Sequence, residues 1–320
     1  MKRLQPVFVV GCYRSGTTLL RLILSSHSSI YISQETHYIA NVFGKIKNEF
    51  TQFDQVSLTK IIEPVRAYLL REGWEKIPTK EDLSVLFDKD YCSYADFIQE
   101  VALFELNSNK RESLLYWGDN TPQYVGSMQL LNILFPECKF IVMVRDPRDV
   151  VASALKLKFQ GKTPIGIAID WQQALAYSLS AREKYGAGRV MLLKYENLVL
   201  NTNESVKKII DFLGIDFEDE MLKFYATDDA KKMQKHTHHQ SLNKPISSKS
   251  IGRFKKDLTQ KQINNITLYL AEYLFSLNYI SQQEYLQSVC DSTANRLNLY
   301  SCMVAEWGWR WLGHVKSKVI

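Results

Sequence analysis

The sequence predicts an α/β fold: a parallel sheet flanked by helices, with a helical insertion and helical C-terminal additions. Three observations predict it. Residues 6–10 are an apolar, mostly β-branched run, followed by a glycine-bounded loop and a helix whose apolar face is Leu19, Leu20, Ile23 and Leu24. Residues 139–144 form a second near-continuous apolar run, as expected of a strand buried on both faces. Residues 189–198 read as a further buried strand, directly after a long helical pattern, so strands and helices alternate.

The first of these elements carries chemistry. Strand, glycine loop and helix make a frame that holds phosphate, because loop and helix N–H groups converge and the helix dipole favours an anion. Gly11, Gly16 and Thr17-Thr18 nearly reproduce the P-loop spacing G-x-x-x-x-G-K-[ST], so the sheet is expected to be of P-loop type. Thr17 stands where the lysine for the β- and γ-phosphates would be, and Arg14 brings a positive charge three residues earlier. The pattern points to an anion other than the nucleoside triphosphate of an ordinary ATPase or kinase.

The whole chain sets bounds. Its 320 residues suffice for one large α/β domain with insertions or for two small ones. Hydrophobic content of 46% and charge of 23% are those of a soluble globular protein. A net charge of +6 and a pI of about 8.9 suit an anionic small molecule and fall short of a nucleic-acid footprint. Cys12, Cys92, Cys138, Cys290 and Cys302 are scattered without a C-x-x-C, which fits a reducing compartment. The apolar run near the N-terminus ends at Gly11, too early for a secretory leader, and no stretch approaches the roughly 18 apolar residues of a membrane span. A cytoplasmic protein is expected.

Tyr13-Arg14-Ser15-Gly16-Thr17-Thr18-Leu19-Leu20 resembles the 5′-phosphosulfate loop of sulfotransferases that use 3′-phosphoadenosine 5′-phosphosulfate (PAPS). The Arg-Ser-Gly-Thr-Thr version is that of tyrosylprotein sulfotransferases and their bacterial relatives. The resemblance implies that Arg14, Ser15, Gly16, Thr17 and Thr18 hold the phosphosulfate, with Arg14 also stabilising the transferring group.

The remaining elements follow in order. Residues 29–33 read as a short strand running into Gln34-Glu35-Thr36-His37. Catalytic groups collect at strand ends in open α/β sheets. The resemblance implies that Glu35 is the base, since the family carries Glu-Glu-Thr there and its second glutamate has that role. His37 is the rival, because small-molecule sulfotransferases use a histidine from a different motif. Residues 38–112 show mostly helical patterns, including a capping box at Ser93-Tyr94-Ala95-Asp96 with Phe97, Val101 and Phe104 behind it. They are expected to be an insertion covering the acceptor site, with Trp74 and Tyr91 between the patterns.

Residues 114–122 read as a strand and its exit loop, similar to the family's Lys-Thr-Pro or Lys-Asp-Pro loop. The chain departs from that loop at Asn120, in the lysine position: an amide donates a hydrogen bond but brings no charge. Residues 123–135 have a helical period. The strand 139–144 ends in Arg145-Asp146-Pro147-Arg148-Asp149-Val150-Val151-Ala152-Ser153, where Pro147 can open a helix. This segment resembles the family's 3′-phosphate motif and implies that Arg145 and Ser153 bind that phosphate.

A helix is expected over 165–185 and a strand over 189–198, whose Tyr195 the resemblance sets against the adenine. Thr202 can cap the next helix, with the stripe Val206, Ile209, Ile210 and Leu213 and a stop at Gly214. Residues 227–250 are polar, and His236, His238 and His239 lack the cysteines or spaced carboxylates of a metal site. Residues 247–254 resemble the bacterial Ser-x-Gly-Arg-Trp segment, with Phe254 for tryptophan, and imply that Ser250, Gly252 and Arg253 close over the phosphates. Thr259 to Gln262 is a capping box for a helix reaching Leu274. The tail Trp307-Gly308-Trp309-Arg310-Trp311 suits either packing onto the protein or a peripheral membrane contact.

The expected protein is a single sulfotransferase domain over 1–320, its helical C-terminal part spanning 255–320. It transfers a sulfonate from PAPS to a hydroxyl or phenol, releases 3′,5′-phosphoadenosine and needs no metal. The alternatives are a P-loop nucleotide kinase, a catalytically impaired nucleotide-binding module, and a structural protein. Sugar, peptidyl tyrosine, lipid and small phenol all remain open as acceptors.

Overall fold

The computed structural model describes residues 4–46, 50–52, 55–71, 74, 77–79, 81–83, 91–104, 106, 108–157, 163–232, 243–290 and 293–318. They fall into two compact units. The first is Met1–Met143 with Tyr177–Ile246, and the second is Val144–Ala176 with Ser247–Ile320. In chain order the elements up to the first boundary are β1 (Gln5–Gly11), α1 (Thr17–Ser25), β2 (Ile30–Ser33), α2 (Tyr38–Ile46), β3 (Phe50–Gln52), β4 (Gln55–Ser57), α3 (Leu58–Arg71), β5 (Tyr91–Ser93), α4 (Tyr94–Leu103), α5 (Ser108–Ser113), β6 (Tyr116–Asp119), α6 (Met128–Leu134) and β7 (Lys139–Val144). Then come α7 (Pro147–Lys156), α8 (Pro164–Tyr185), β8 (Val190–Lys194), α9 (Tyr195–Leu200), α10 (Thr202–Leu213) and α11 (Asp228–Lys232). The chain closes with α12 (Phe254–Asp257), α13 (Gln260–Tyr269), α14 (Ala271–Ser276), α15 (Gln282–Val289) and α16 (Thr293–Lys318).

The first unit is built on a sheet of strand order β2-β6-β1-β7-β8. β2 pairs in parallel with β6, β6 with β1, and β1 with β7. The apolar runs explain this. From Pro6 to Gly11 on β1, and from Phe140 to Val144 on β7, every residue is buried, which only a sheet covered on both faces allows. Phe8 stands at the centre of the core. Its ring centroid lies 5.8 Å from those of Phe140 and Phe135, and Trp117 meets Phe135 at 5.4 Å. Gly118 on β6 lies tight against β1, since a Cβ there would lie 1.8 Å from the Val7 carbonyl oxygen.

In the second unit α7 packs against α12 and α13, and α13 against α16. Asp146 caps α7 by accepting the Arg148 N–H at 2.9 Å, and Pro147 takes the first helical position. The capping box at Thr259 forms in both directions, opening α13.

Several expectations are corrected. The segment 38–112 holds α2 to α5 together with a three-stranded antiparallel sheet, β3-β4-β5, whose three-residue strands are too short to show a period of two. Residues 122–134 are a 3-10 turn, Pro122–Ser127, before the short α6, because Gly126 weakens a continuous helix. β8 stops at Lys194, and Tyr195 begins α9 with the acidic Glu196 in its first turn. Thr202 is the first residue of α10 and Asn201 its N-cap, since the Ser205 N–H already bonds the Asn201 carbonyl at 2.9 Å. The helix from Thr259 ends at Tyr269, and α14 follows from Ala271.

The Gly118 contact gives a direct test. Gly118→Ala must push β6 away from β1 and is expected to cost about 3 kcal/mol or more, because a backbone oxygen cannot yield as a side chain can. Chemical denaturation measures it, and a midpoint equal to wild type would refute the close approach of the two strands.

Candidate active site

The loop between β1 and α1 is shaped to receive an anion. Gly16, the N-cap of α1, has φ 97°, and Arg14 takes the left-handed conformation at φ 65°, uncommon for a residue with a side chain. Such strain persists where the surroundings over-determine it and is found most often at functional sites. No side chain caps α1, its first turn carries no acidic residue, and the first N–H groups of a helix have no partner within it. Ser15 is buried and its Oγ has no partner among the described residues. Tyr195 joins this loop, since a Cβ on Gly16 would lie 2.5 Å from the Tyr195 ring. The loop residues Arg14 to Thr18 and Tyr195 are therefore brought together in the first unit.

Glu35 sits on the exit loop of β2, and the residues around it are pinned from the exit of β6. The Thr36 hydroxyl donates to Asp119 Oδ2 at 2.6 Å and lies 2.8 Å from the Tyr124 hydroxyl. Thr121 Oγ1 accepts the N–H groups of Thr36 at 3.0 Å and His37 at 3.4 Å. The Tyr124 hydroxyl accepts the Ile39 N–H at 3.0 Å, and the Trp74 indole N–H donates to the Glu35 carbonyl at 3.2 Å. What remains for Glu35 is its carboxylate, 42% exposed, with Oε2 at 3.1 Å from His37 Nε2. The sequence singled out Glu35 and His37 as rivals, and the structure joins them.

Asp119, Thr121 and Tyr124 are site residues that sequence reasoning missed. Asp119 is 1% exposed. Burial pushes its carboxyl up to about 6, against the pull of the Thr121 and Thr36 hydroxyls and of the His37 ring. Asn120, beside it, is buried as well, and its Oδ1 has no partner among the described residues.

In the second unit, Arg145 leaves the end of β7 with its side chain buried and donates from Nη2 to the Ser250 carbonyl at 2.6 Å. Asp149 accepts the N–H groups of Gly252 at 2.8 Å and Phe254 at 2.9 Å, and burial raises its carboxyl above the ordinary range. The Arg148 guanidinium covers the Phe254 ring at 4.3 Å. Gly252 has φ 70°, a left-handed turn that favours glycine. Arg253 bonds Asp257 at 2.8 Å, and Ser153 is half-buried on α7. Arg145, Ser250 and Gly252 are thus held in one cluster.

His236, His238 and His239 lie outside the described residues. Of the aromatic tail, Trp307 is exposed on α16, and the side chains of Trp309 and Trp311 lie outside the described ones. Among the described residues no helix is long and apolar enough to cross a membrane.

Residues 6–219 match the sequence model of the sulfotransferase family. Protein-tyrosine sulfotransferase 2 of Gallus gallus is 27% identical over 233 residues, 69% of this chain and 54% of that protein. Protein-tyrosine sulfotransferase A of Caenorhabditis elegans is 24% identical over 273 residues, 81% of this chain and 58% of that protein. The chain thus spans somewhat more than half the length of these curated relatives. Among solved structures, the sulfotransferase domain of the Synechococcus PCC 7002 olefin synthase shares the fold, with a TM-score of 0.60 and 22% identity over 86% of this chain and 96% of that one.

Asp119 makes stability depend on pH. The folded carboxyl keeps its proton to about 6, whereas the unfolded one releases it near 3.8. Between these values the folded state binds more protons, so stability falls as pH rises through the window, by on the order of 3 kcal/mol for about two pH units. Asp119→Asn keeps an acceptor for Thr36 and cannot ionise. Its urea midpoint should gain on wild type from pH 4 to pH 6 and run parallel above; parallel curves throughout would show that Asp119 does not titrate there.

Proposed function

The chain belongs to the sulfotransferase family, and from that premise we propose that it transfers a sulfonate from PAPS to a hydroxyl or phenol. The observation that carries the proposal is a pairing within one unit: a helix-N-terminal anion loop, and a half-exposed glutamate whose flanking residues are fixed. Sulfonate transfer needs both, an anion cradle for the donor and a base for the acceptor.

In this reading the N–H groups of Gly16, Thr17 and Thr18 hold the phosphosulfate, and Ser15, whose own N–H closes the turn on the Cys12 carbonyl, adds its hydroxyl as a donor. Arg14 stabilises charge on the bridging oxygen and the transferring sulfonate. Glu35 takes the proton of the acceptor hydroxyl as its oxygen bonds to sulfur, and the electron pair of the breaking bond leaves with 3′,5′-phosphoadenosine. Arg145 and Ser153 take the 3′-phosphate, Tyr195 the adenine side, and Ser250, Gly252 and Arg253 close over the phosphates. Asp149 fixes the backbone of that segment through the N–H groups of Gly252 and Phe254.

Residues 38–112 are proposed to cover the acceptor, which the Trp74 contact with the Glu35 carbonyl supports. The proposed compartment is the cytosol, supported by the free thiols of Cys12, Cys138, Cys290 and Cys302. The kinase and binding-module readings are not favoured, given the family match and the sulfotransferase relatives.

Calorimetry with 3′,5′-phosphoadenosine and 5′-AMP tests the donor. The first should bind more tightly, and Arg145→Ala should weaken it by roughly one to two orders of magnitude, the worth of a charge-assisted contact of about 1.5–3 kcal/mol. Equal affinity of wild type for the two nucleotides would remove the 3′-phosphate assignment.

The base is tested by Glu35→Gln, which keeps the shape and removes the basicity. Single-turnover transfer should drop by about 10²–10⁴-fold, while affinity for 3′,5′-phosphoadenosine stays near that of wild type. Near-normal turnover in this variant would mean that another group takes the proton.

A further inference from the structure

We propose that His37 is a positioning residue for Glu35: its imidazole holds one carboxylate oxygen so that the other is presented to the acceptor hydroxyl. This rests on the reading of Glu35 as the base.

The geometry divides the carboxylate in two. Oε2 lies 3.1 Å from His37 Nε2, and Oε1 has no hydrogen-bond partner among the described residues. A glutamate that is 42% exposed would otherwise sample many rotamers. The ring contact, only 20% exposed on the histidine side, selects one of them. His37 is itself held in place. Its backbone is left-handed at φ 56°, its N–H reaches Thr121 Oγ1 at 3.4 Å, and its carbonyl accepts from Asn41 Nδ2 at 2.7 Å.

The backbone alone would be served better by glycine, which adopts this conformation without the cost a side chain incurs. The imidazole is therefore explained by what it touches. Asp119, which also acts on the ring, is already engaged by Thr36. In the proposed step the acceptor O–H proton moves to Glu35 Oε1, the oxygen bonds to sulfur, and the proton shared between His37 and Oε2 stays where it is. No proton passes through the ring.

The test compares His37→Gly, which removes the ring and keeps the left-handed backbone, with His37→Gln, which returns an N–H donor at similar reach. Glu35→Gln runs alongside. The probe reaction is single-turnover transfer from PAPS to 4-nitrophenol, and ¹⁵N-edited spectra of the His37 ring provide a readout independent of turnover.

His37→Gly should slow transfer by about three- to tenfold, the worth of one hydrogen bond, with KM for 4-nitrophenol and affinity for 3′,5′-phosphoadenosine unchanged. His37→Gln should recover most of that loss. The Nε2–H signal of wild type should shift in Glu35→Gln. Wild-type rates in His37→Gly, or identical ring spectra in wild type and Glu35→Gln, would overturn the inference while leaving Glu35 as the base. A His37→Gly variant as slow as Glu35→Gln, unrescued by glutamine, would make the ring itself the proton acceptor and overturn it too. Full activity in Glu35→Gln would instead refute the underlying reading.

Discussion

The shared polarity of buried parallel strands is the constraint on which the first unit depends. β1, β2 and β6 pair in parallel, so their carboxyl ends lie at one edge of the sheet. Each exit there has one task. The exit of β1 makes the anion loop, that of β2 carries Glu35, and that of β6 supplies Asp119, Thr121 and Tyr124 to hold the second. An antiparallel arrangement would send alternate exits to the opposite edge and break this division. The close contact at Gly118 ties β6, the strand that leads to Thr121, to β1, the strand that leads into the loop before α1.

The parts of this design that were legible in the sequence are those a local pattern records. The runs at 6–10 and 139–144 became β1 and β7 because burial on both faces leaves no polar alternation to misread. Pro147 and the Thr259 capping box marked helix starts because their chemistry is local. β3, β4 and β5 were illegible because three residues cannot display a period. The end of β8 was misplaced because Leu198 and Val199 fit a buried strand as well as a buried helical face, and only the turn at Tyr195 decides between them.

At the site the same division holds. The turn between β1 and α1 was legible because glycine spacing encodes backbone shape. The network around Asp119 was not, because a buried carboxylate and an exposed one are spelled alike, and Thr36 meets Asp119 across 83 positions of sequence. His37 and Glu35 read as competitors because sequence lists candidates without their orientation. The left-handed turn at His37, which makes them partners, leaves no mark on the sequence.

Asn120 brings these threads together. A lysine at that position would add a full charge at the exit of β6, and in this chain the position is a buried neutral amide. Its neighbour Asp119 is a carboxyl lifted to about 6 by burial, so a large share of its negative charge is removed in mildly acidic solution. With a neutral amide at 120, Asp119 is held by hydroxyls, which accommodate either protonation state. In the proposed reading the positive charge beside the transferring group comes from Arg14, whose left-handed backbone fixes where its side chain departs from the loop. A guanidinium in that role needs a rigid origin, and the tight turn between Gly11 and Gly16 supplies one.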